Sequence, residues 1–156
     1  MTYKEKLSYI SGVFDGEGSL FLSKRVKNKR KSWTANISVS MNDIHSLEII
    51  KEVFGGNIRI GHKKIKDIQT KETYCPAYVI SYGAEDKVKE IILLLLPYLQ
   101  VKKEQAVLLL EFLRYKHWKR NGRITPFSAA AQLNNLYIKC KKLKSKNWII
   151  KSKLKL

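Results

Sequence analysis

YISGVFDGEGSLFLSK, residues 9 to 24, changes its periodicity part-way along. Ahead of the change, Leu7, Ile10, Val13 and Phe14 recur at spacings of three and four, which predicts a helix over residues 5 to 14. Gly16 and Gly18 are expected to end it. From Ser19 the period becomes two, with Leu20 and Leu22 on one face of a strand and Ser23, Arg25 and Lys27 on the other. Asp15 and Glu17 sit at the join. A helix C-terminus carries partial negative charge from its unpaired carbonyls, so carboxylates there call for a positive partner. Two partners would serve: one of the chain's own basic side chains, with the glycines forming an ordinary cap and turn, or a hard divalent cation.

The alternation continues downstream. KRVKNKRK, residues 24 to 31, is a cationic turn, and WTANISVSM returns with Ala35, Ile37, Val39 and Met41 alternating with Thr34, Asn36, Ser38 and Ser40. The two segments predict a long hairpin with one apolar face and one polar, basic face. Asn42 or Asp43 can cap a second helix that buries Leu47, Ile50 and Phe54 and stops at Gly55-Gly56. NIRIGHK then opens a second hairpin, with Ile58 and Ile60 inward and Arg59 and Lys63 outward. YCPAYVISY closes it, Pro76 demanding an edge position or an irregular start. Three helical segments follow: AEDKVKEIILLLLPYL, VKKEQAVLLLEFLRYKHWK and FSAAAQLNNLYIKCKKL. Residues 139 to 156 carry eight Lys and no acid, so part of this tail is expected to order only on a polyanion. The order α-β-β-α-β-β-α-α-α predicts an α+β chain, a four-stranded antiparallel sheet with helices on one face. At 156 residues, a single domain over the whole chain is the simplest division.

Composition narrows the partners. Against 13 acids stand 31 Lys and Arg, a net charge of +18 that must meet a polyanion or be tolerated as self-repulsion. The cations are spread among strand-like polar segments rather than gathered on one amphipathic helix, which favours nucleic acid over a membrane surface. IILLLL, residues 91 to 96, is too short to span a bilayer, and no secretory segment opens the chain. An intracellular protein is expected, in cytoplasm or an organelle matrix. Cys75 and Cys140 lack CxxC or CxxH spacing and are read as packing residues.

ISGVFDGEG, residues 10 to 18, resembles the LAGLIDADG motif of the homing endonucleases and their maturase relatives. The resemblance runs on through the first strand pair, VSMNDIHSLEIIKEVFGG, the second strand pair and LLPYLQVKKEQA, covering about residues 5 to 115. The basic helical extension, about residues 127 to 156, lies beyond it. It implies an αββαββα unit that hydrolyses both strands of double-stranded DNA with Mg²⁺, for which Mn²⁺ can substitute. The motif's last acid, here Glu17, would be the metal ligand, joined by the Gly16 carbonyl, and Asp15 would be structural, holding the turn. Lys102, in preference to Lys103, matches the basic residue that assists at the active site. Where many members carry Gln and then a basic group after the second strand, this chain has Asn42 and His45; these either organise water or are a plain cap and a surface His. The motif helix would pack against its counterpart in a second copy through Tyr9, Ser11, Gly12, Val13 and Gly16. No second D-G-x-G occurs near a spacing of 100 residues, so the resemblance implies a homodimer and a pseudo-palindromic target.

Base reading would fall to the outward strand residues. Arg25 and Arg59 suit guanine, Asn36 adenine, and Ser23, Ser38 and Ser40 direct or water-mediated contacts, with Thr34 on the same face. Lys27, Lys29, Arg30, Lys31, Lys63 and the basic tail would hold phosphates. Each cation alone is ordinary solvated surface; the face as a whole argues for DNA. An intron RNA maturase, aiding splicing without cutting DNA, is the alternative of the same fold.

Overall fold

Thr2 starts the first helix with a reciprocal cap: its hydroxyl accepts from the Glu5 amide at 3.3 Å, and the Glu5 carboxylate accepts from the Thr2 amide at 2.7 Å. This helix, α1 (Tyr3–Glu17), buries Leu7, Ile10, Ser11 and Phe14. It continues past the expected end at residue 14, so Gly16 lies in its last turn and Gly18, in extended conformation, is the cap. The computed structural model describes residues 1–28, 30–61, 77–121 and 126–153. The remaining elements are β1 (Gly18–Lys27), β2 (Arg30–Met41), α2 (Ile44–Phe54), β3 (Arg59–Ile60), β4 (Tyr78–Tyr82), α3 (Glu85–Leu95), α4 (Lys103–Arg120) and α5 (Pro126–Lys153). Their order is the one read from the periodicity.

The strands form one antiparallel sheet in the order β1-β2-β4-β3. Its long ribbon pairs Gly18 with Val39 at one end and Lys27 with Arg30 at the other. Leu20, Leu22, Trp33, Ala35, Ile37, Val39, Ile80 and Tyr82 are buried on one face, under Phe14, Leu47, Ile91, Leu109, Phe112 and Leu133 from the helices. Cys140 is buried in the same core. Lys24, on this inner side of the ribbon, fastens α5: its amine is 3.3 Å from Asn134 Oδ1 and 5.9 Å from the ring centres of both Trp33 and Tyr137.

Asp43, rather than Asn42, caps α2. Its carboxylate accepts from the Ser46 hydroxyl and from the Ser46 and His45 amides, which hold its pKa below the usual carboxylate range. Gly55 (φ 72°) and Gly56 (φ 95°) then reverse the chain in the left-handed region. The Tyr82 hydroxyl donates to the Gly55 carbonyl at 2.7 Å, and burial pushes its pKa up to about 12. A raised folded-state pKa stabilises below the unfolded value of 10.0, and that contribution is lost as pH rises toward 12. Tyr82→Phe is therefore expected to flatten the decline in stability above pH 10, measured by denaturant melts across alkaline pH.

One expectation needs correction. Ile58 is half-buried against the core, but Ile60 is 64% exposed, on a two-residue strand at the edge of the sheet. The Lys-rich extension, read as helical, is a helix as far as Lys153. Lys29, Lys63, Cys75 and Pro76 lie outside the described residues. No helix among the described residues is long and apolar enough to cross a membrane.

Candidate active site and nucleic-acid interface

The positive partner required at the end of α1 is Lys102. Its amine donates to the carbonyls of Phe14, at 2.8 Å, and Asp15, at 2.5 Å, in the last turn of α1, where the Phe14 carbonyl also accepts from the Gly18 amide. In return the Asp15 carboxylate accepts from the backbone amides of Gln100, at 2.7 Å, and Lys102, at 2.8 Å. Asp15 thus ties the loop before α4 to α1, a longer-range task than holding its own turn. This reciprocal latch offsets the helix charge and accounts for a helix that runs on through Gly16.

Glu17 is left apart from the latch. It is exposed, and its carboxylate makes no hydrogen bond or ion pair with another described residue. The exposed Gly16 precedes it in the last turn. One carboxylate and a neighbouring backbone carbonyl are hard oxygen donors of the kind that Mg²⁺ shares with water and phosphate, so the donor set fits such an ion. Among the described residues no group of three or more His, Cys, Asp or Glu could hold a metal.

One face of α1 is bare. Tyr9, Gly12 and Gly16 are exposed and Val13 is half-buried; a Cβ added at Gly12 or Gly16 would meet nothing within 4 Å. With Glu17, Met41 and Ser46 these residues line one shallow depression. The Tyr9 hydroxyl lies 2.7 Å from Ser46 Oγ, joining this face to the cap of α2. Ser11 does not belong to it. It is fully buried and donates to the Leu7 carbonyl at 2.8 Å, because it falls on the Leu7–Phe14 stripe that packs inward.

The sheet face away from the helices carries Ser23, Arg25, Thr34, Asn36, Ser38, Ser40 and Arg59. Lys31 departs from it: the register gives it the side of Trp33 and Val26, at the far end of the ribbon. Ser81, opposite Ser38, belongs to the outer face and went unread, although the period of two in YVISY turns Tyr78, Ile80 and Tyr82 inward and Val79 and Ser81 outward. It accepts from Arg59 Nη2 at 2.6 Å and steadies that guanidinium over the face. Asn36 Nδ2 donates to Ser23 Oγ and to the Thr34 carbonyl, both at 3.0 Å. Both amide hydrogens are engaged, so Asn36 offers an acceptor only, not the donor and acceptor that bidentate adenine reading uses.

The family model for the LAGLIDADG endonucleases matches residues 10–119. The chain belongs to this family. Solved structures with the same fold include the LAGLIDADG homing endonuclease I-CvuI, in complex with its target in the presence of calcium. It shares 18% identity at a TM-score of 0.69, covering 90% of this chain and 82% of that one. The archaeal intron-encoded I-Vdi141I, complexed with DNA, shares 23% identity at 0.69, covering 89% and 84%. I-CeuI, encoded by a group I intron and complexed with DNA, shares 14% at 0.73, covering 90% and 68%. Comparison with curated proteins finds no match. Of the residues that the LAGLIDADG resemblance marks, Glu17, Gly16, Asp15 and Lys102 converge on the end of α1. Asn42 and His45 are exposed and do not line the depression that holds Glu17; His45 stands 3.7 Å from Glu48.

Proposed function

We propose that the chain is a homodimeric, divalent-metal-dependent endonuclease that cuts both strands of a long pseudo-palindromic DNA target. The observation that carries this reading is the division of labour at the end of α1: the Asp15 carboxylate and the Phe14 and Asp15 carbonyls are engaged by the loop and Lys102, while Glu17 is presented to solvent. A residue needed only for the fold would be tied into it.

Two copies meeting across the bare glycine face would bring their Glu17 side chains to one twofold axis, with one sheet along the major groove of each half-site. Arg25 and Arg59 present donors to base edges, and the net charge of +18 supplies phosphate attraction that weakens with salt. Glu17 and the Gly16 carbonyl would hold Mg²⁺ or Mn²⁺, which when bound neutralises charge at the attacked phosphate and activates a water. Lys102 binds the Phe14 and Asp15 carbonyls and so anchors the turn of α1 that carries Glu17. Asn42 and His45 stand at the margin, available to order water once DNA is present.

Duplex DNA spanning the intron-free version of the host locus, incubated with Mg²⁺, should be cut once on each strand, and mapping both ends tests the reading. Sedimentation of the free protein tests the dimer. Ser81→Ala is expected to reduce discrimination at the base pair facing Arg59 by roughly two- to tenfold, with overall affinity little changed, as read by competition binding. A maturase acting on intron RNA is the second reading. It is favoured by exposed Lys139, Lys141 and Lys142 on α5, in the helical layer rather than on the outer face of the sheet. Splicing rescue without DNA cleavage in Mg²⁺ or Mn²⁺ would establish it instead.

A further inference from the structure

We propose that Asn36 reads an exocyclic amino group in the major groove, the N6 of adenine or the N4 of cytosine, through its side-chain oxygen alone. Gly83 keeps that oxygen uncovered, and the inference rests on the DNA reading above. Asn36 stands on β2 between the buried Ala35 and Ile37, so its side chain belongs to the outer face. Its amide cannot be turned about. A carbonyl oxygen only accepts, so the end of the amide 3.0 Å from the Thr34 carbonyl is the NH2 group. The other amide hydrogen goes to Ser23 Oγ, whose own hydroxyl donates to the same carbonyl at 3.5 Å. Oδ1 is thereby the free end, and no described residue donates to it. It is not closed off either: among the described residues, Trp33 Nε1 is the one side-chain polar atom both buried and without a partner.

Gly83 accounts for the opening. Ile37 pairs with Tyr82, which brings Gly83 beside Asn36 just past the end of β4. Among the described residues the glycines with positive φ are Gly55 and Gly56, so the backbone at Gly83 does not itself demand glycine. What a side chain there would change is access to Oδ1, from which a Cβ would stand 3.1 Å. A lone acceptor discriminates by sign. Adenine N6 and cytosine N4 offer it a hydrogen, whereas guanine O6 and thymine O4 are acceptors that would face it with no proton between. The base pair met by Asn36 is therefore expected to present A or C on the strand it reads, not G or T.

The test uses wild-type protein and a randomised duplex library. In the recovered target each adenine in turn is replaced by purine and each cytosine by 2-pyrimidinone, bases that lack only the amino group, and the arm that responds tells the two apart. At one such base per half-site, binding is expected to weaken roughly two- to tenfold, the value of one hydrogen bond. Asn36→Ala should lose that penalty, a comparison that cancels the pairing hydrogen bond each replacement removes from the duplex. Asn36→Val, which suits a strand, is held to the same outcome should Asn36→Ala fail to fold. Gly83→Ala, with Asn36 in place, should shrink the penalty to less than about twofold. The proposal is overturned if no replacement weakens wild-type binding, or if the folded Asn36 variant or Gly83→Ala keeps the wild-type penalty. A library from which no sequence is enriched would overturn the DNA reading itself, a result distinct from loss of the Asn36 assignment alone.

Discussion

Glu17→Gln is expected to bind target DNA almost as tightly as wild type and to cut it roughly a hundredfold or more slowly, as loss of a site's central electrostatic group does. Glutamine keeps the size and shape of the side chain and removes only its charge. The carboxylate makes no hydrogen bond or ion pair with another described residue, so the melting temperature should not move. Single-turnover cleavage beside a gel-shift titration separates the two effects. Cleavage by Glu17→Gln at near the wild-type rate would sink the assignment of this residue as metal ligand.

The second large effect separates two glycines of the same motif. At Gly12 an added Cβ meets nothing within 4 Å, and removing a mid-helix glycine recovers roughly 0.5–1 kcal/mol. Gly12→Leu should therefore leave the isolated chain as stable as before, or more so. On the proposed dimer, however, the same side chain stands where the partner helix must approach, so the variant is expected to sediment as a monomer and to lose cleavage. At Gly18 the situation inverts: a Cβ would lie 2.6 Å from the Phe14 carbonyl oxygen and 2.8 Å from its Cα. Backbone cannot yield as a side chain can, so Gly18→Ala should cost about 1–3 kcal/mol of stability. A Gly12→Leu protein that stays dimeric and active would show that this face is not the interface.

The element order and the polarity of the sheet were legible in the sequence because they rest on short-range periodicity. The turnover from Phe14 to Leu20, the alternation along β1 and β2, and the glycine pair after α2 each announce themselves within a few residues. What escaped depends on contacts distant in sequence. The end of α1 is set by Lys102, whose position beside Phe14 no local pattern discloses, and helical propensity alone would have stopped at Gly16. Ser11 was misread because smallness suggests an interface, whereas its rotation about the axis, shared with Leu7 and Phe14, decides that it faces inward. Ser81 was within reach of strict alternation, but its partner Arg59 lies 22 residues away in sequence.

The ribbon of β1 and β2 has one more implication, metrical rather than chemical. An extended chain advances by about 3.4 Å per residue, which is also the rise of B-DNA per base pair. The ten residues of β1 therefore measure out about one helical turn of a duplex. Cross-strand partners share a face, so the rows Arg25–Ser32, Ser23–Thr34, Phe21–Asn36 and Ser19–Ser38 form a ladder whose rungs recur every two residues. Such a ladder has a pitch of about two base pairs. On the proposed DNA reading, lengthening the hairpin by one rung would extend the word it reads by that amount and leave the spelling of the rest unchanged.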